Sequence, residues 1–182
     1  MSEILMIENL VKTYESEGEK LTVLNYLNLS VEEGSKTVIC GESGSGKSTL
    51  GRILTGIENA DNGIVEFEGK NIHVKKNKYL KREISIVFQN YVSSVNPKFS
   101  VAEIIAEPLT IESQLKKDEI QEELKKLIES VGLSEEFLQR FPNELSGGQL
   151  QRVCIARAIA TRPKFIMLDE TVSSLDVSTQ VE

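Results

Sequence analysis

The chain has 182 residues, enough for one ordinary domain with a core of its own. Hydrophobic residues are 40% and charged residues 27%, with 21 Lys and Arg against 28 Asp and Glu and a formal charge of −7. That acidic balance argues against a general nucleic-acid surface, which needs a basic face, but not against a locally basic site for a polyanion.

Nothing in the sequence is apolar for long enough to span a bilayer, and the N-terminus lacks a charged-then-apolar signal pattern, so a cytosolic protein is expected. Cys40 and Cys154 lie inside apolar segments and read as small buried hydrophobes in a reducing compartment, with a disulfide or metal site as the minor alternative.

In chain order, Ile4 to Ile7 and Leu21 to Val31 read as strands, the second with apolar residues near every other position. Thr37 to Cys40 reads as a short apolar strand running straight into a glycine-rich loop. Lys47 to Gly56 follows as a helix with Leu50, Ile53 and Leu54 on one face. Ile64 to Phe67 and Ile84 to Phe88 are further strands, and Val101 to Glu107 is a short helix ended by Pro108. Asp118 to Val131 is a longer amphipathic helix with Gly132 where a C-cap belongs. The mostly helical insert is expected at about 92–142, or about 92–160 as a subdomain once the next helix is counted. Lys164 to Leu168 is a buried-type strand ending in two acids. Strand–helix–strand order on both sides of a helical insert points to α/β with a partly parallel sheet, in a single domain over 1–182.

Two segments carry phosphate chemistry. Gly41-Glu42-Ser43-Gly44-Ser45-Gly46-Lys47-Ser48, followed by Thr49, fits the G-x-x-x-x-G-K-[ST] pattern between a predicted strand and a predicted helix. Its glycines let backbone N–H groups wrap phosphates, Lys47 brings a positive charge to the terminal phosphates, and the Ser48 hydroxyl suits Mg²⁺, a hard cation. In Leu145-Ser146-Gly147-Gly148-Gln149, Ser146 is placed to cap the helix that begins next, and the two glycines leave its first N–H groups uncovered. Unpaired N–H groups and the helix dipole attract an anion. The strand Phe165 to Leu168 delivers Asp169, positioned to hold Mg²⁺, and Glu170, positioned to orient or deprotonate an attacking water.

These motifs, with Gln89 after an apolar strand and Ser173-Ser174-Leu175-Asp176 near the end, occur in the order seen in ATP-binding-cassette ATPases, and the sequence resembles a nucleotide-binding domain of that superfamily. The resemblance implies a P-loop NTPase core with a mostly parallel sheet, an N-terminal antiparallel β subdomain and a helical insert. It implies ATP and Mg²⁺ as ligands, with Glu170, Lys47 and Gln89 in catalysis and Ser48, Gln89 and Asp169 around the metal. It places Tyr14 where such domains stack an aromatic on adenine, the alternative being a strand-end tyrosine packed on its own edge. Ser174 and Asp176 match the loop that signals between the two sites of a dimer.

Gln89 to Pro97 and Glu103 to Leu109 resemble the oligopeptide, dipeptide and nickel importer branch, which favours import of a peptide or a chelated metal. Tyr91 stands where that branch often has proline, and Thr171 where proline usually follows the acidic pair. The implied partners are a second cassette bound head to tail, integral membrane permease subunits and an extracytoplasmic substrate-binding protein, with no nucleic acid. The implied location is the inner face of the cell membrane. The family's next strand, which ends in a histidine contacting the terminal phosphate, would follow Asp176, whereas this chain ends at Glu182 and has one histidine, His73, expected on the surface. That motivates an alternative function, an ATP-binding cassette deficient in hydrolysis. A soluble cassette acting on ribosomes or DNA is disfavoured by the single cassette and the acidic charge.

Overall fold

The computed structural model describes residues 2–16, 18–73, 80–112 and 116–169. Within the span read as a single domain, the chain forms two compact units, Met1–Lys81 and Arg82–Glu182.

The first unit is built on an antiparallel sheet. Strands β1 (Glu3–Ser16) and β2 (Glu19–Glu32) form a hairpin, β3 (Asn62–Phe67) pairs with the other edge of β1, and β4 (Lys70–Asn71) closes the order β2-β1-β3-β4. β1 extends well past the four residues expected, because it finds partners on both edges: Tyr14 pairs with Leu21 of β2, and Leu5 with Phe67 of β3. Gly63 is required where β3 meets β1. Its φ is 96°, and a Cβ there would stand 2.5 Å from the Asn9 carbonyl oxygen. Leu5, Ile7, Leu10, Val65 and Phe67 are buried almost completely. Helix α1 (Lys47–Leu54) follows the glycine loop, with Leu50, Ile53 and Leu54 buried as the spacing predicts.

The expected strand Thr37 to Cys40 does not form. Residues 35–42 are irregular backbone, Val38 is 81% exposed and Cys40 is exposed rather than buried. An apolar run becomes a strand only where a neighbouring edge supplies its hydrogen bonds, and no strand among the described residues pairs with it.

The second unit joins a parallel strand pair to a helical core. After the short helix α2 (Leu80–Glu83), β5 (Ile84–Val87) runs parallel to β6 (Phe165–Leu168), in a register from Ile84 opposite Phe165 to Val87 opposite Leu168. Between them in sequence lie α3 (Val101–Glu112), α4 (Lys117–Ser130) and α5 (Gly147–Ile159), with short 3₁₀ turns before α3 and between α4 and α5. Val101, Ile104, Ile105 and Leu109 of α3, Leu124, Leu127 and Ile128 of α4, and Leu150, Val153 and Cys154 of α5 share one apolar core. Gly132 has a φ of 71° just past α4, as a C-cap glycine should.

Pro108 does not end α3, which continues to Glu112. An internal proline costs a helix about 3 kcal/mol. Fully burying an aliphatic side chain returns about 1.5–3 kcal/mol, and Leu109 lies beyond the proline in the same core as Ile104 and Ile105, so its burial offsets much of that cost.

Candidate functional site

The first unit presents the glycine loop. Gly44 and Gly46 have φ of 83° and 94°, the left-handed region that favours glycine. A Cβ on Gly46 would stand 2.9 Å from Leu24 Cδ2 and 3.0 Å from the Val23 carbonyl oxygen, so only glycine fits where the loop turns over β2 into α1. α1 begins without a side-chain cap. Its first amides are therefore donors suited to an anion, and the residues fit the phosphate-binding role. Lys47 Nζ folds over the loop, donating to the carbonyls of Gly41 at 2.7 Å and Glu42 at 2.8 Å, and lies 3.4 Å from Ser45 Oγ. Ser48 is half-buried and Thr49 buried in the first turn of α1.

Tyr14 is tied to the same helix. Its hydroxyl donates to Glu58 Oε2 at 2.9 Å and reaches Thr49 Oγ1 at 3.4 Å. Lys12 Nζ lies 5.4 Å from the centre of the Tyr14 ring, bonds the Asn59 carbonyl at 2.9 Å and pairs with Glu58 at 3.2 Å and Asp61 at 3.4 Å. Burial opposes the Lys12 charge, but its hydrogen bonds to Glu58 and Asp61 prevail and its pKa is raised. The Thr13 N–H, donating to Asp61 Oδ2 at 2.6 Å, and the Lys12 ammonium hold the Asp61 carboxyl below its ordinary range. This cluster escaped the sequence reading, since Lys12 and Asp61 are 49 residues apart and no local pattern joins them.

The second unit carries the other candidate groups. Gln89 follows β5 and Asp169 follows β6, so both leave the carboxyl end of one parallel strand pair, the edge where ligands bind in open α/β sheets. Gln89 is exposed, whereas Asp169 is buried and its N–H donates to the Val87 carbonyl at 3.0 Å. The oxygens of Asp169, Gln89 and Ser48 are of the type that Mg²⁺ prefers.

At the start of α5 the expected cap forms. Ser146 Oγ accepts from the Gln149 N–H at 3.3 Å, and Gln149 Oε1 accepts from the Ser146 N–H at 2.9 Å. Leu145 packs against the helical core. The side chains of Leu145 and Gln149 thus build the turn, while Gly147 and Gly148 supply its two bare positions. A Cβ on Gly148 would meet nothing within 4 Å; one on Gly147 would stand 2.8 Å from Tyr91 Oη.

His73 departs from expectation. It is half-buried, its Nε2 has no hydrogen-bond partner among the described residues, and burial lowers its pKa. Its backbone N–H donates to Asn71 Oδ1 at 2.8 Å. Cys154 is buried as expected, and burial pushes its thiol up. Glu170, Thr171, Ser174 and Asp176 lie outside the described residues.

The family described as ABC transporter matches residues 24–173, most of the chain and all of both phosphate-seeking segments. The chain belongs to the ABC transporter family. The nickel import ATP-binding protein NikE of Shigella boydii serotype 4 (strain Sb227) is 39% identical, over 92% of this chain and 63% of its own length. The protein of the same name from Brucella suis biovar 1 (strain 1330) is 39% identical, over 97% of this chain and 70% of its own. The chain thus spans about two thirds of the length of these curated relatives. Among solved structures it superimposes on the ATP-binding cassette MJ0796, in a dimeric post-hydrolysis state bound to ADP and Pi, with a TM-score of 0.88 and 31% identity, covering 96% of this chain and 77% of that one. This ABC transporter chain therefore has the ATPase cassette fold, a P-loop core with an antiparallel N-terminal β subdomain. Among the described residues, no helix is long and apolar enough to cross a membrane.

Proposed function

We propose that this chain is the ATP-binding and ATP-hydrolysing subunit of an ABC importer, with nickel, free or chelated, favoured over a peptide as cargo. The observations that carry the ATPase reading are the glycine loop running into α1 without a side-chain cap, and the start of α5, where Gly148 faces open space beyond a satisfied cap. Each unit holds one anion-ready start, which suits ATP shared between two cassettes. The dimeric MJ0796 cassette supports a pair of cassettes, which we take to meet head to tail. The names of the 39% identical relatives support nickel.

In this reading the loop from Gly41 to Gly46 and the first amides of α1 bind the phosphates. Lys47 exchanges its bonds to the Gly41 and Glu42 carbonyls for phosphate oxygens. Ser48, Asp169 and Gln89 would hold Mg²⁺, which when bound neutralises charge on the phosphates. Glu170 positions and deprotonates the attacking water, and Tyr14 stacks on adenine. Ser146, Gly147 and Gly148 face the terminal phosphate held by the other cassette, and Asp176 carries the signal between the two sites. Permease subunits in the cell membrane and an extracytoplasmic binding protein complete the system, with this chain on the cytoplasmic side.

Uptake of radiolabelled nickel and of a labelled dipeptide by cells with and without the gene tests the cargo. Loss of nickel uptake alone is expected. Loss of dipeptide uptake alone would overturn the nickel assignment.

A further inference from the structure

The residues after Gln89 are strapped lengthwise along α5. Tyr91 is partly buried against the helical core, and its Oη lies 2.8 Å from where a Cβ on Gly147 would stand. The Tyr91 carbonyl accepts from Ser94 Oγ at 2.8 Å and lies 3.9 Å from Cys154 Sγ. Arg157 then donates through Nη1 to the Ser94 carbonyl at 2.7 Å and through Nη2 to Ser94 Oγ at 3.2 Å. Positions 147, 154 and 157 are seven and three residues apart, so they lie on one stripe of the helix. At about 1.5 Å per residue the strap follows α5 for about 15 Å, from its N-terminus towards its last turn.

Two of these anchors fix the strap to the body of α5, and the third sets the phenol against its first residue. The Ser146–Gly148 turn is thereby packed from outside at the point where it has no side chains of its own. We propose that Tyr91 is a positioning residue for ATP use, holding the Gly147–Gly148 amides in the orientation in which they meet the terminal phosphate. The residue acts through the turn and touches no nucleotide. The inference rests on the reading of Ser146–Gly148 as the phosphate-facing turn of a shared ATP site.

Steric coupling provides the test. Alanine at position 147 brings its Cβ to 2.8 Å from Tyr91 Oη, whereas the next ring atom, Cζ, is 3.9 Å away at ordinary contact distance. Steady-state ATP hydrolysis by the chain is measured for wild type, Tyr91→Phe, Gly147→Ala, Gly147→Ala with Tyr91→Phe, and Gly148→Asp. Gly147→Ala is expected to raise KM for ATP about tenfold with little change in kcat, since it disturbs binding geometry rather than the chemical groups. Adding Tyr91→Phe is expected to bring KM back to within about threefold of wild type, a non-additivity that contact between the two residues requires and a general loss of stability does not produce.

Gly148→Asp is the control for the underlying reading. Its Cβ enters open space, so the fold is kept while a negative charge meets the phosphate, and turnover should be lost. Wild-type turnover in Gly148→Asp would overturn the shared-site reading and the inference with it. If Gly148→Asp is inactive but Gly147→Ala is harmless, or is not rescued by Tyr91→Phe, only the role of Tyr91 falls.

Discussion

Replacing Lys47 with alanine probes the phosphate loop where its geometry is most explicit. The ammonium already donates to the Gly41 and Glu42 carbonyls at 2.7 and 2.8 Å. In the proposed site nucleotide binding breaks these bonds, so the affinity due to Lys47 would be the difference between its bonds to phosphate and its bonds to the loop. A hydrogen bond to a charged group is worth about 1.5–3 kcal/mol. Two such bonds gained against two lost leave a surplus of about one, because the phosphate partner carries a full negative charge and the carbonyls only a dipole. A surplus of about 1.5–3 kcal/mol corresponds to a rise in Kd of about 10- to 150-fold in the variant. Isothermal titration with MgATP at fixed ionic strength measures it, with a thermal melt alongside because alanine also removes the bonds that brace the loop. A Kd within about threefold of wild type, in a variant that melts like wild type, would refute the exchange.

Ser146→Ala removes the cap acceptor of α5 and leaves the Gln149 N–H without its 3.3 Å partner. It should destabilise by about 1 kcal/mol, lowering Tm by about 2–4 °C in a calorimetric scan. The Asp61 carboxyl has its pKa held down in the folded state, first by the Thr13 N–H and then by Lys12. Its contribution is therefore fully present above the unfolded value of about 3.9 and is lost as pH falls through the lower folded value. Urea midpoints measured from pH 6 down to pH 2 should fall less steeply for Asp61→Asn than for wild type, and parallel curves would count against the cluster as a source of acid lability.

Local features were legible in the sequence. The helix at Gly147–Ile159, its Ser146 cap, the C-cap Gly132 and the buried face of α1 each follow from residues within a few positions of one another. The strands expected at Ile4 to Ile7, Leu21 to Val31, Ile64 to Phe67, Ile84 to Phe88 and Lys164 to Leu168 appear, and β1 runs on to Ser16 because β2 supplies it with a partner. Errors arose where distant contacts decide. Thr37 to Cys40 has a strand's composition but lacks a paired edge among the described residues. Pro108 carries a breaker's chemistry and is overruled by the core around Leu109 and Ile105. His73, just past the two-residue strand β4, is half-buried rather than on the surface.

By itself, the sequence determined the chemistry on offer: a glycine loop ending in Lys47 and Ser48, a serine-capped helix start with two glycines, and acids after an apolar strand. These depend on backbone freedom and side-chain type over a few consecutive residues, and are therefore written in the order of the chain. The tertiary structure alone decided that Tyr14 is tied to Glu58, 44 residues away, and that Tyr91 lies against Gly147. Such pairings are set by how strands and helices pack, a property of the whole unit that no short window of sequence contains.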